Sequence, residues 1–260
     1  MINFRAILSL LLLISFFACK TDKPTKSDTK VTSLTYKLTP FSPSQKYPDA
    51  KISNMTYKEG KFSFDVGGDL YSLGTQTPDA PQKMCANSGK GQHIHLIVDD
   101  KPYAAKYMSS FEHDVADGTH HTLAFLSRSY HESIKTRDAF IAEKIEVKDK
   151  SITSRETIDE PMIFYSRPKG TYIGDDTKKV MLDFYLVNGS LSGGKFVTAN
   201  INGEDHKIEK WQPYYIEGMP MGENTITLSY HEKDGTLVSA PNNPVSRTFS
   251  LKADPTPPKE

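Results

Sequence analysis

Of the eight histidines in this 260-residue chain, six fall in one stretch: His93, His95, His113, His120, His121 and His131. His93 and His95 lie at i and i+2 of the run His93-Ile-His-Leu-Ile-Val98. On a strand that spacing sends both imidazoles from one face, with Cβ atoms about 6–7 Å apart, close enough to converge on one ion. Ile94, Leu96 and Val98 then point the other way, toward a core. Imidazole sets of this kind suit Zn or Cu. The expected ligands are His93, His95, His121 and His131, with His113 or His120 as spares. Glu112, Asp114 and Asp117 could support them from outside. Histidine is also ordinary on exposed strands and in loops, so an incidental set remains the competing reading.

A second polar concentration follows at once. Ser127-Arg-Ser-Tyr-His-Glu-Ser133 packs hydroxyls, a guanidinium, an imidazole and a carboxylate into one short segment. The chain has no Gly-x-Ser-x-Gly elbow, so a hydrolase triad is not expected. A contact loop is expected instead, with Arg128, Tyr130, Glu132 and Lys135 facing a phosphopeptide or another anionic ligand. Trp211, with Tyr214 and Tyr215, could form a recognition platform or simply pack between sheets. Cys85 reads as a buried, inert thiol. Lys+Arg and Asp+Glu number 32 each, leaving no basic field for nucleic acid.

The elements that must position these residues read as strands. Lys61–Val66 and Asn224–Tyr230 alternate apolar and polar residues, and Val180–Val187 is a continuous apolar run. Runs at Gln92–Val98, Thr122–Leu126, Phe140–Val147, Met162–Tyr165, Phe196–Ile201 and Val245–Leu251 add to them. Asp117-Gly118, Asn188-Gly189, Asn202-Gly203 and Asp234-Gly235 mark turns between them. No stretch sustains a 3.6-residue period, so the expected class is all-β. The expected architecture is two tandem sandwiches, residues 32–150 and 160–252, joined by the polar KDKSITSRETIDE segment and followed by a tail at 253–260.

The halves are faintly alike. His93–Asp100 lies on Phe196–Gly203, and the strand from His121 lies on the strand from Asn224. The arrangement resembles bacterial immunoglobulin-like modules, which implies β-sandwiches with functional loops. In that alignment Phe196 and Thr198 stand where the first half has His93 and His95. Gly91-Gln-His-Ile-His95 also looks like the His-x-His strand of copper/zinc superoxide dismutases, but the chain offers neither their bridging His nor their His-Gly pair. Together with Gly118-Thr-His-His-Thr-Leu123, it is similar to uncharacterised His-rich periplasmic domains, a likeness that implies no activity.

The N-terminus supplies an address. Arg5 precedes an apolar run from Ile7 to Phe17, about a dozen residues, which fits a signal-peptide core and is too short to span a bilayer. Phe16-Phe-Ala-Cys19 resembles a bacterial lipobox, implying cleavage after residue 18 and acylation of Cys19. Residues 19–31 then form a polar tether reaching roughly 35–40 Å when extended. Lys20 in place of Asp after the Cys points to the outer membrane. The favoured expectation is a non-catalytic, lipid-anchored envelope module that binds a protein, peptide or glycan. The alternative is a zinc- or copper-binding protein using the His93–His131 stretch.

Overall fold

The computed structural model describes residues 36–255. The signal peptide, Cys19, the tether and the last five residues lie outside the described residues. In chain order the strands are β1 (Lys37–Pro40), β2 (Lys51–Lys58), β3 (Lys61–Gly67), β4 (His93–Val98), β5 (Ala104–Lys106) and β6 (Ser110–Glu112). Then come β7 (Gly118–Ser127), β8 (Phe140–Lys148), β9 (Ser151–Thr157), β10 (Met162–Arg167), β11 (Gly170–Ile173) and β12 (Val180–Val187). Last are β13 (Phe196–Ile201), β14 (Glu204–Ile208), β15 (Tyr214–Glu217), β16 (Gly222–His231) and β17 (Val245–Lys252).

The strands make four sheets, ordered β2-β3-β6 and β5-β4-β7-β8-β9 in the first half, and β1-β15-β12-β10 and β11-β17-β16-β13-β14 in the second. The class is all-β, as expected. Phe62, Phe64 and Phe111 of the small first sheet pack with Ile94, Leu96, Ala124 and Leu126 of the second to form one core. A separate core joins Ile163, Leu182 and Phe184 to Val197, Ile226, Leu228 and Phe249. Alternation explains both, because the residues at i and i+2 share the face turned inward.

The strand pairing differs from the sequence-based boundaries at two places. Residues 37–40, assigned to the first module, pair with β15 of the second, Lys37 opposite Glu217 and Pro40 opposite Tyr214. Ser151–Thr157, read as connecting chain, is the edge strand β9 on β8. A four-residue strand shows no period. The polar residues of β9 suit an exposed edge, where they discourage pairing with another chain.

The sandwiches share a third apolar layer. Ile97, Leu123 and Phe125, on the outer face of the five-stranded first-half sheet, pack on Met162, Phe164, Tyr185 and Val187 of the four-stranded second-half sheet. Every residue of β4, β10 and β12 is consequently buried. A strand covered on both faces reads as a continuous apolar run. Val180–Val187 follows that rule with one exception, Asp183, which is fully buried.

The internal repeat is visible in the pairing. The order β5-β4-β7-β8 matches β14-β13-β16-β17 position by position, and only the fifth strand differs, β9 lying antiparallel on β8 and β11 parallel on β17. His93 opposes Ser127, and Phe196 opposes His231. The loop after each long strand closes with the same isolated bridge, Ser127–Ser133 and His231–Leu237. This register aligns His121 with Thr225 and not with Asn224, a one-residue correction that exchanges the two faces of the strand.

Candidate metal centre

The covered outer face of β4 carries His93 and His95, and neither has measurable exposure. Gly91 prepares their approach. Its φ is +83°, and a Cβ there would lie 2.5 Å from the Gly74 carbonyl atoms, so only glycine fits. Its carbonyl oxygen accepts a hydrogen bond from His93 Nδ1 at 2.8 Å. That contact places the proton on Nδ1 and leaves a lone pair on Nε2. The neighbouring Gln92 amide is held by the Thr75 carbonyl at 2.8 Å.

The third imidazole comes from the loop between β7 and β8. His131 sits at φ +71°, in the left-handed region, and its amide donates to the Arg128 carbonyl at 2.9 Å. In the second half the matching position is Gly235, at φ +90°, whose amide donates to the Glu232 carbonyl. The same turn thus uses glycine in one copy and accepts a strained histidine in the other. Asp183 anchors this loop across the interface. Its Oδ2 accepts from the Ser133 amide at 2.9 Å and hydroxyl at 2.7 Å, and its Oδ1 meets Lys135 Nζ at 2.6 Å.

The three rings converge. His93 Nε2 lies 2.8 Å from His95 Nε2 and 3.0 Å from His131 Nδ1. All three ligand atoms fall within 4.8 Å of one another. One lone pair on His93 Nε2 accepts only one good hydrogen bond, yet two ring nitrogens crowd it. A cation about 2.0–2.1 Å from each nitrogen would turn these approaches into bonds, since tetrahedral ligands at that radius stand about 3.3 Å apart. Tyr103 stacks on His95, with centroids 3.6 Å apart and planes 11° from parallel, and its hydroxyl is 3.3 Å from His131 Nδ1. Tyr107 covers His93, with centroids 4.9 Å apart. His95 Nδ1 is buried without a hydrogen-bond partner among the described residues.

Burial holds all three imidazoles neutral. It lowers the pKa of His93 to about 4, with Arg167 and Lys169 adding positive repulsion against the opposing hydrogen bond to Gly91. It holds His95 and His131 well below the ordinary 6.5, again with Arg167 and Lys169 contributing. Their lone pairs are therefore available at neutral pH. Arg167 ends β10 and donates to the Tyr103 oxygen at 2.8 Å, and Lys169 Nζ lies 4.1 Å from the Tyr103 ring centre.

The other expected ligands lie elsewhere. His121 shares the outer face with Phe125 but is four residues along β7, about 13 Å away, beyond Leu123; its Nε2 contacts Glu160 at 3.2 Å. His120 is held by Asp99 at 2.7 Å and the Ala116 carbonyl at 2.9 Å. His113 follows β6 in the opposite sheet and packs near Phe62.

The expected anion-contact loop is also corrected. Arg128, Tyr130 and Glu132 are buried. Arg128 Nε and Nη2 donate to the Gln45 carbonyl at 3.0 and 2.6 Å, Tyr130 donates to Asp79 at 3.2 Å, and Glu132 accepts from Ser44 at 2.5 Å. Lys135 is committed to Asp183. These groups hold the loop in place and leave no free cationic face for a phosphate. Trp211 is partly buried against both neighbouring cores and donates to the Phe184 carbonyl at 3.0 Å. Burial pushes the Cys85 thiol up to about 12, against the pull of Arg167, which fits an unreactive side chain.

The fold and cluster define an all-β protein of two sandwiches with two buried histidines, His93 and His95, and a half-buried third, His131, at their junction. No family model and no curated protein matches the chain. Among solved structures, it is similar to the fibronectin(III)-like modules of Clostridium thermocellum CbhA. Identity there is 14 % and the TM-score 0.28, over 84 % of this chain and 95 % of that one. A Ca2+-stabilized adhesin of an Antarctic bacterium gives 12 % and 0.22, over 75 % and 44 %. The tandem V-type regions of VCBP3, a v-region-containing chitin binding protein, give 8 % and 0.23, over 84 % and 99 %.

Proposed function

We propose that the protein is a non-catalytic transition-metal-binding module of the bacterial cell envelope, exported and lipid-anchored through Cys19, which holds zinc or copper between its sandwiches with His93, His95 and His131. The observation that carries this reading is the convergence of three neutral ring nitrogens, two of them 2.8 and 3.0 Å from the third. The internal repeat supports it, because the same scaffold is built in the second half with Phe196, Thr198 and Gly235 at the matching positions. A scaffold that closes without these histidines does not need them for folding. Deep burial and a pinned loop suit retention of an ion more than turnover of a substrate.

Competition titration of the full chain with Zn(II) and Cu(II) tests the proposal. One ion per chain is expected, with affinity lost in His93→Ala/His95→Ala by more than the roughly 10–100-fold that loss of an outer-shell partner costs. Binding that is weak in the native chain, or unchanged in the double variant, would reject it.

A further inference from the structure

We infer that this centre selects monovalent copper over divalent zinc, and that the two cations of the second sandwich, Arg167 and Lys169, set the preference. The inference rests on the metal-binding reading above and adds the identity and charge of the ion.

The donors alone do not decide, because imidazole suits copper and zinc alike. Charge does. Among the described residues no carboxylate or thiolate joins the three imidazoles. The Tyr103 oxygen, 3.3 Å from His131 Nδ1, already accepts from Arg167 at 2.8 Å. Arg167 is 5 % exposed, its Nε has no partner, and among the described residues no carboxylate lies within ion-pair distance of it or of Lys169. The carboxylates packed around the loop are already engaged. Asp183 is bound to Lys135 and Ser133, and Glu132 to Arg128 and Ser44.

An incoming ion therefore meets two positive side chains, and among the described residues no carboxylate pairs with either; Asp176 lies within electrostatic reach of Arg167 but forms no ion pair with it. Coulomb repulsion scales with the ion's own charge and is strong where water is excluded, so a dication is disfavoured twice as much as a monocation. Coordination number points the same way. Zinc completes a tetrahedron with a fourth ligand, whereas copper(I) is satisfied by three.

The test compares Cu(I), measured anaerobically against a chromophoric chelator, with Zn(II), measured by competition, on the native full chain and on Lys169→Glu and Lys169→Gln. Lys169 is only half-buried, so both variants should fold. The native chain is expected to bind Cu(I) more tightly than Zn(II). Lys169→Glu should move the ratio toward Zn(II) by at least about tenfold, with Lys169→Gln intermediate, as a charge effect requires. Tighter Zn(II) binding by the native chain, or a ratio unmoved by Lys169→Glu, would overturn the inference while leaving the metal site standing. Failure of both ions to bind would remove the site and the inference together.

Discussion

Three imidazoles held neutral by burial link proton uptake to stability. In the unfolded chain each titrates near 6.5, whereas in the fold His93 is lowered to about 4 and the other two are held well below the ordinary value. As pH falls the unfolded state binds protons first, so stability is full above about 6.5 and drops toward about 4. Thermal unfolding of the metal-free protein across that window should show this slope. His93→Phe/His95→Thr, which installs the residues of the second half, should flatten it. An equally steep fall in the variant would mean that other groups govern acid sensitivity. The pair His93 and His95 was legible because the period of a strand alone puts i and i+2 on one face. His131 was legible only as one histidine among several. Its left-handed turn follows from register with Gly235, which a loose alignment does not supply. His121 misled because it shares the correct face but lies too far along the strand.

At the scale of elements, the site depends on a loop fastened from the opposite sandwich. Asp183 is buried in the middle of β12 and binds both Ser133 and Lys135, two and four residues beyond His131. Asp183→Ala should cost about 3 kcal/mol, because it strands Lys135 beside an apolar layer and frees two donors. It should also weaken metal affinity without touching a ligand. Denaturant unfolding and metal competition on the same variant would measure both effects, and native affinity in a destabilised variant would show the loop to be rigid by itself. The long alternating strands were readable from sequence because alternation is local. The three- and four-residue strands β1, β5, β6, β11 and β15 were not, since so short a segment has no measurable period and is fixed by its partner. Asp183 was the one anomaly in the apolar run of β12, and its partners lie some fifty residues away in sequence, beyond any local pattern.

At the scale of the molecule, the halves are fused. β1, from the N-terminal side of the first sandwich, completes a sheet of the second, and an apolar layer around Phe125, Phe164 and Tyr185 fills the space between them. Urea unfolding should therefore be one cooperative transition, coincident by far-ultraviolet dichroism and by the fluorescence of Trp211, which packs against two of the cores. Two separated transitions would show independent domains and leave the histidine face of β4 exposed in an intermediate. Sequence spacing suggested two modules joined by a linker, and the junction was hidden because its residues read as ordinary strand interiors. The most direct test of the metal centre is the thermal midpoint of His131→Gly, with and without saturating Zn(II) or Cu(I), beside the native chain. Glycine relaxes the left-handed turn, as Gly235 does in the second half, so the metal-free midpoint should hold or rise. Metal should raise the native midpoint strongly and the variant's hardly at all, since an ion stabilises only the state that binds it. Equal stabilisation of both proteins by metal, or of neither, would contradict a centre built on His93, His95 and His131.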